Sequence, residues 1–178
     1  MNCYDVIIIG AGSVGLPAAL AMADAGVDVL VIDRAPSPGQ GSHKAAIGGV
    51  RATHSDPAKI ELCLRSLDIF STWQTTYGQD IEWTQGGYTF VAYREREAKT
   101  LRDLLVIQQS HGLSINWLDR EELLHIVPDL QPLGLIGGTF SPEDGHCSTL
   151  LAGHAFYEEA CRAGASFRFD ERVIDVTV

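Results

Sequence analysis

Three glycines spaced as Gly10-Ala11-Gly12-Ser13-Val14-Gly15, with Asp33 closing the next apolar run, are the residue types and spacing that hold a dinucleotide. Gly10 allows a sharp reversal, and Gly12 leaves no side chain where a pyrophosphate would meet the backbone. Gly15 lets a following helix lie close against a strand. The first turn of that helix offers unpaired N–H groups, together with Ser13 and Val14 at its start, and about half a positive charge to phosphate oxygens. A carboxylate at Asp33 accepts hydrogen bonds from a ribose hydroxyl and repels a 2′-phosphate, so NADP is the least suited occupant.

A lone G-x-G-x-x-G is a weak signal, and its weight here comes from the elements around it. The apolar run Val6-Ile7-Ile8-Ile9 reads as a strand, the Ala-rich stretch to Ala25 as a helix closed by Gly26, and Val29-Leu30-Val31-Ile32 as a second strand. Strand, turn, helix, strand and terminal acid fall where dinucleotide binding needs them. Residues 35–44, rich in Pro, Gly and Ser, read as a loop. The small, glycine-rich stretch Ala45 to Arg51 has two readings. It is a surface linker, or it is backbone passing close to a bound cofactor with Ser42, His43, Lys44 and Arg51 as donors. Its place just after the second strand favours the cofactor.

Further along, Asp56-Pro57 predicts a helix start, with Ile60, Cys63, Leu64, Leu67 and Phe70 at helical spacing and Gly78 as its stop. Tyr88 to Tyr93 predicts a strand, and Arg94 to Ser110 a charged amphipathic helix. Asp119 with Glu122 is a capping-box start for a short helix that Pro128 ends. Leu133 to Phe140 predicts a strand or strand edge, and Ser141 to His146 a turn, in which Glu143 and Asp144 serve as turn formers rather than an acid–base pair. A helix over Thr149–Ala163, a short strand over Ser166–Phe169 and a β-branched strand over Val173–Val178 complete the chain.

The formal net charge of −10 excludes a nucleic-acid or anionic-membrane surface, since both require clustered Lys and Arg. No apolar run reaches the ~18 residues of a membrane span. The N-terminus lacks the basic region of a signal peptide. Cys3, Cys63, Cys147 and Cys161 stand far apart, as reduced thiols of a cytoplasmic protein would, and six scattered histidines form no metal-ligand pattern, so no metal is expected.

The chain resembles the N-terminal part of the FAD-dependent amino-acid and amine oxidoreductases, the D-amino-acid oxidase family with its glycine and sarcosine oxidase members. The resemblance rests on Asp5 through Gly15, Ile32-Asp33-Arg34, Gly41 through Arg51, Pro142-Glu143-Asp144-Gly145-His146, Gly164-Ala165 and Val173-x-x-Val176. It implies an α/β fold: a partial, Rossmann-like FAD domain with a parallel sheet over 1–87 and 141–178, interrupted at 88–140 by the start of an α+β substrate domain. It implies FAD held by Gly10, Gly12, Ser13, Val14 and Gly15 at the pyrophosphate, Asp33 and Arg34 at the adenosine end, Ser42 and His43 along the ribityl chain, and Val173 at the adenine.

The activity implied is oxidation of a small-molecule amine or amino acid of the glycine, sarcosine, D-amino-acid or proline class by hydride transfer to flavin N5. Arg51 is the candidate for a side chain near the flavin or the substrate carboxylate; the catalytic residues are otherwise unknown, and the resemblance places the usual carboxylate-binding Arg and Tyr in the half that lies beyond these residues. Relatives continue for roughly as many residues again, and in a sheet of order 3-2-1-4 the strand Val6–Ile9 would lack one neighbour. A fragment, or a subunit completed by a second polypeptide, is therefore expected. The competing expectations are a non-catalytic nucleotide-binding subunit of a multi-subunit dehydrogenase and an NAD-dependent dehydrogenase.

Overall fold

The computed structural model describes residues 3–177. In chain order its elements are β1 (Val6–Ile9), α1 (Gly15–Asp24), β2 (Val29–Ile32), a 3-10 turn (Ser42–Ala45), β3 (Gly49–Val50), α2 (Pro57–Tyr77) and β4 (Tyr88–Ala92). There follow α3 (Glu95–Ser110), β5 (Asn116–Asp119), α4 (Arg120–Ile126), β6 (Gly137–Ser141), β7 (Gly145–His146), α5 (Thr149–Arg162) and β8 (Ser166–Arg168). These form two compact units. One comprises the chain up to Gly48, Trp73–Glu82 and the chain from Cys147 onward; the other comprises Gly49–Thr72 and Trp83–His146.

In the first unit β1, β2 and β8 make a parallel sheet with β2 central, Val6 opposite Val29 and Leu30 opposite Ser166. Parallel neighbours require a crossover, and α1 supplies it between β1 and β2. Val29, Leu30 and Val31 are buried, as a strand covered on both faces should be. Helix α1 packs on α5. Its buried residues Gly15, Leu16, Ala19, Leu20 and Ala23 recur at helical spacing, and α5 meets them with a face rich in small residues, Ala152, Gly153, Ala155 and Ala160 among them. Small side chains let the two helix axes approach closely. Trp73, 1% exposed, fills the unit's interior against the rings of Phe156 and Tyr77 at 4.3 and 4.4 Å.

The β-branched run over Val173–Val178 departs from expectation. Residues 173–177 form no strand, and Val178 lies outside the described residues. Alternating β-branched residues favour extended backbone, but a strand exists only against a hydrogen-bonding neighbour. Ile174 is 90% exposed here.

The four cysteines are free thiols. Cys147 is buried, with its N–H donating to the Gly48 carbonyl at 3.0 Å, and burial pushes its thiol up to about 11 from the ordinary 9.0. The unfolded chain loses this proton first, so folding loses stability as pH rises from about 9 towards about 11. Denaturant unfolding between those pH values is expected to show a fall in stability that is smaller in Cys147→Ala; an identical pH slope in the variant would exclude this origin.

The second unit is α+β. Strands β4, β6 and β5 form an antiparallel sheet with β6 central, Thr139 lying opposite both Phe90 and Trp117. β3 pairs with β7, Val50 opposite Gly145, and Thr84 bridges His146. Ala52, Ile60, Leu67, Leu113 and Ile115 make its core. The expected helix starts form as their caps dictate: Asp56 accepts from the Lys59 N–H at 3.1 Å, and Asp119 and Glu122 complete a reciprocal capping box. β5 and β7 were not anticipated. β5 is four residues with polar ends, and β7 occupies what reads in sequence as the end of a turn.

Candidate dinucleotide site

The glycine turn joins β1 to α1 in the first unit. Gly10 has φ +109°, a conformation that side chains disfavour, and its N–H donates to the Ile32 carbonyl at 2.8 Å. Gly15 is the point of closest approach. A Cβ there would overlap the Gly10 carbonyl oxygen and lie 3.2 Å from the Ile8 side chain. Gly12 is the opposite case, because a Cβ would meet nothing within 4 Å. Val14, at the N-cap of α1, provides no side-chain hydrogen bond, and the first turn carries no acid. The opening N–H groups of the helix thus receive no side-chain acceptor from the chain, which suits an anion.

Asp33 follows β2 and does more than the sequence suggested. Its Oδ2 accepts from the Ala11 N–H at 2.7 Å and its Oδ1 from the Ala35 N–H at 2.8 Å. The carboxylate ties the glycine turn to the loop after β2, and each oxygen retains a lone pair for a ribose hydroxyl. The Asp33 backbone pairs with the far end of the chain, its N–H donating to Arg168 and its carbonyl accepting from Glu171, at 2.9 and 3.1 Å.

Two cavities open on this turn. One, of about 430 Å³, is lined by Ile9 through Gly15, Asp33 to Ala35 and Gln40 to His43; the other, of about 380 Å³, by Ile9, Gly10, Ile32 to Arg34 and Glu171 to Val173. Sharing Ile9, Gly10, Asp33 and Arg34, they make a trough long enough in residue terms to bring together Gly10, Gly12, Ser13, Val14, Gly15, Asp33, Arg34, Ser42, His43 and Val173. Ten candidates from four stretches of chain line these two adjoining cavities. His43 is held firmly: its Nε2 lies 2.5 Å from the Thr149 carbonyl oxygen, and its ring rests where a side chain on Gly153 would stand. Gln40, Glu171 and Arg172 also line the trough and carried no signal in the sequence.

Arg51 belongs to the second unit. Its guanidinium donates to the Thr53 carbonyl and lies over the rings of Tyr88 and Phe90, 5.5 and 5.1 Å from their centroids. Asp144 is the residue the sequence undervalued. Rather than only forming a turn, it is 0% exposed, and its carboxylate accepts from the Ala52 N–H at 3.0 Å and the Thr53 hydroxyl at 2.7 Å. Among the described residues no group of three His, Cys, Asp or Glu side chains is arranged to hold a metal ion, and no helix is long and apolar enough to cross a membrane.

A parallel sheet, a glycine turn with room above Gly12, a helix N-terminus with no side-chain cap and an acid after the second strand define a dinucleotide-binding α/β protein. The family profile described as FAD dependent oxidoreductase (DAO) matches residues 5–178, and the chain belongs to that family. It is similar to glycine oxidase of Geobacillus kaustophilus (strain HTA426), 27% identical over 97% of this chain and 48% of that protein. It is also similar to monomeric sarcosine oxidase of Bacillus sp. (strain B-0618), 24% identical over 98% of this chain and 45% of that protein. Among solved structures, L-proline dehydrogenase from P. horikoshii is 30% identical with a TM-score of 0.86, over 92% of this chain and 43% of that one. The chain spans about half the length, or less, of the curated relatives it matches. Family membership sets aside the NAD-dependent alternative.

Proposed function

We propose that this chain is the FAD-binding part of an oxidoreductase acting on a small amine or amino acid of the glycine, sarcosine, D-amino-acid or proline class. Support comes above all from the trough over the glycine turn, with its clear space at Gly12 and the remaining lone pairs of Asp33 at one side. In this reading the backbone of Gly10 through Gly15 holds the pyrophosphate, Asp33 and Arg34 the adenosine ribose, Val173 the adenine, and Ser42 and His43 the ribityl end. The chemistry that FAD would supply is acceptance of a hydride equivalent from the carbon beside nitrogen. Arg51 is assigned to the substrate carboxylate, and residues 88–140 to the start of the substrate-binding part.

Completion of the sheet beyond β1, by further residues of a longer chain or by a second polypeptide, belongs to the same proposal, as does a cytoplasmic setting. Ile7 and Ile9 on β1 are 56% and 63% exposed, and β1 has a strand neighbour on one side only among the described residues. Soluble proteins rarely leave an apolar edge strand bare.

Titration with FAD, followed by quenching of flavin fluorescence, tests the cofactor assignment. Asp33→Ala is expected to weaken FAD about tenfold to a hundredfold, from the loss of a half-buried acceptor and of the tie to Ala11. Undiminished affinity in a folded Asp33→Ala protein would remove Asp33 from the site.

A further inference from the structure

Asp144 reaches across the second unit to the two residues that follow Arg51, and we infer that it is the positioning residue for the Arg51 guanidinium. The inference rests on the assignment of Arg51 to a substrate carboxylate. The carboxylate lies on a rigid support. Its residue sits between β6 and β7, its own carbonyl accepts from the Gly87 N–H at 2.8 Å, and the next residue, Gly145, is pressed against Thr84 and Trp83. A Cβ at Gly145 would come within 2.5 Å of the Thr84 carbonyl oxygen.

From that support the two carboxylate oxygens divide their work. Oδ1 takes the Ala52 N–H and Oδ2 the Thr53 hydroxyl, so the backbone and the side chain of consecutive residues are both fixed. Arg51 donates to the carbonyl of the same Thr53. The peptide that receives the guanidinium is therefore the one whose residue Asp144 holds. The opposite constraint comes from β4, whose Tyr88 and Phe90 offer ring faces to the cation while Ser141 and Thr139 on β6 hold that strand in register. A guanidinium is a planar fork; held by one edge and stacked by its face, it presents its remaining N–H groups in one direction. Burying a carboxylate completely is costly unless its partners are in place. A turn former would not need that burial, since an exposed Asp serves a turn as well.

The test uses two variants of the full chain. Asp144→Asn keeps the shape and the acceptor for Ala52 but cannot accept from the Thr53 hydroxyl. Thr53→Val removes the hydroxyl and leaves the carboxylate. With arginine side chains labelled with 15N, the Arg51 Nε–Hε resonance should be displaced in the wild type by the ring currents of Tyr88 and Phe90. It should move towards the position of a free arginine in both variants. An unchanged Arg51 resonance in either folded variant would overturn the inference.

Glycine as an added probe then separates this inference from the assignment beneath it. In the FAD-loaded protein its dissociation constant is expected to rise about tenfold in Asp144→Asn, with that of ethylamine, which lacks a carboxylate, unchanged. The same substitution should add nothing in an Arg51→Ala background. An effect that persists undiminished there would make Asp144 a general structural residue and overturn its positioning role. If Arg51→Ala itself leaves glycine affinity unchanged, the carboxylate assignment of Arg51 fails, and the resonance measurement still decides what Asp144 holds.

Discussion

Gly12→Val is expected to fold normally and to bind no FAD. A Cβ at this position meets nothing within 4 Å, so the substitution creates no internal collision. The branched side chain would instead stand in the cavity of about 430 Å³ above the turn, where the proposed assignment puts the phosphate oxygens against the N–H groups of Ser13 and its neighbours. Two or three hydrogen bonds to a charged group, each worth roughly 1.5–3 kcal/mol, would be lost. Affinity should therefore fall by about a thousandfold or more. Flavin fluorescence titration reads the loss, and circular dichroism with thermal unfolding reads the intact fold. Wild-type affinity in a folded Gly12→Val protein would place the pyrophosphate elsewhere.

Gly15→Val should show the reverse order of effects, with the fold failing first. Its Cβ would overlap a backbone oxygen, that of Gly10, which cannot rotate aside as a side chain would. Relief requires α1 to lift from β1, and α1 also packs against the small-residue face of α5. Overpacking typically costs about 1–3 kcal/mol and occasionally more; a clash with backbone belongs at the upper end. For a chain of this size that lowers Tm by about 10 °C. FAD binding would be lost in both variants, but only Gly15→Val should move Tm. A Tm within about 2 °C of the wild type would mean that the turn opens without cost to the sheet.

The legible parts of this molecule are those decided within a few residues. Gly10 through Gly15, Asp33, the Asp56 cap and the Asp119–Glu122 box all act on neighbours or on the next element, and their spacing in the sequence is the spacing that matters. Asp144 was illegible for the opposite reason. Its partners Ala52 and Thr53 lie 92 and 91 residues away, and nothing about an Asp before a glycine reveals that it will be sealed from water. Asn116–Asp119 becomes a strand because β6 is there to pair with it, against a polar local composition. Val173–Val176 has the composition of a strand and does not form one, for want of a neighbour. The trough shows the same division: its glycine-turn wall could be read directly, whereas Glu171 and Arg172 reach it only because Asp33 pairs with that part of the chain.

The pairing of Leu30 with Ser166 sets a timetable for synthesis. β2 leaves the ribosome with β1 and α1 already made, but its other edge has no partner until β8 has been translated, roughly ten seconds later at ordinary elongation rates. Throughout that interval the central, most buried strand of the parallel sheet is half-paired, and α1 waits for α5 to cover it. The second unit, with β4, β5 and β6 drawn from one continuous stretch, has its sheet complete well before then. Such a chain gathers its local sheet first and closes its long-range one last, as contact order dictates.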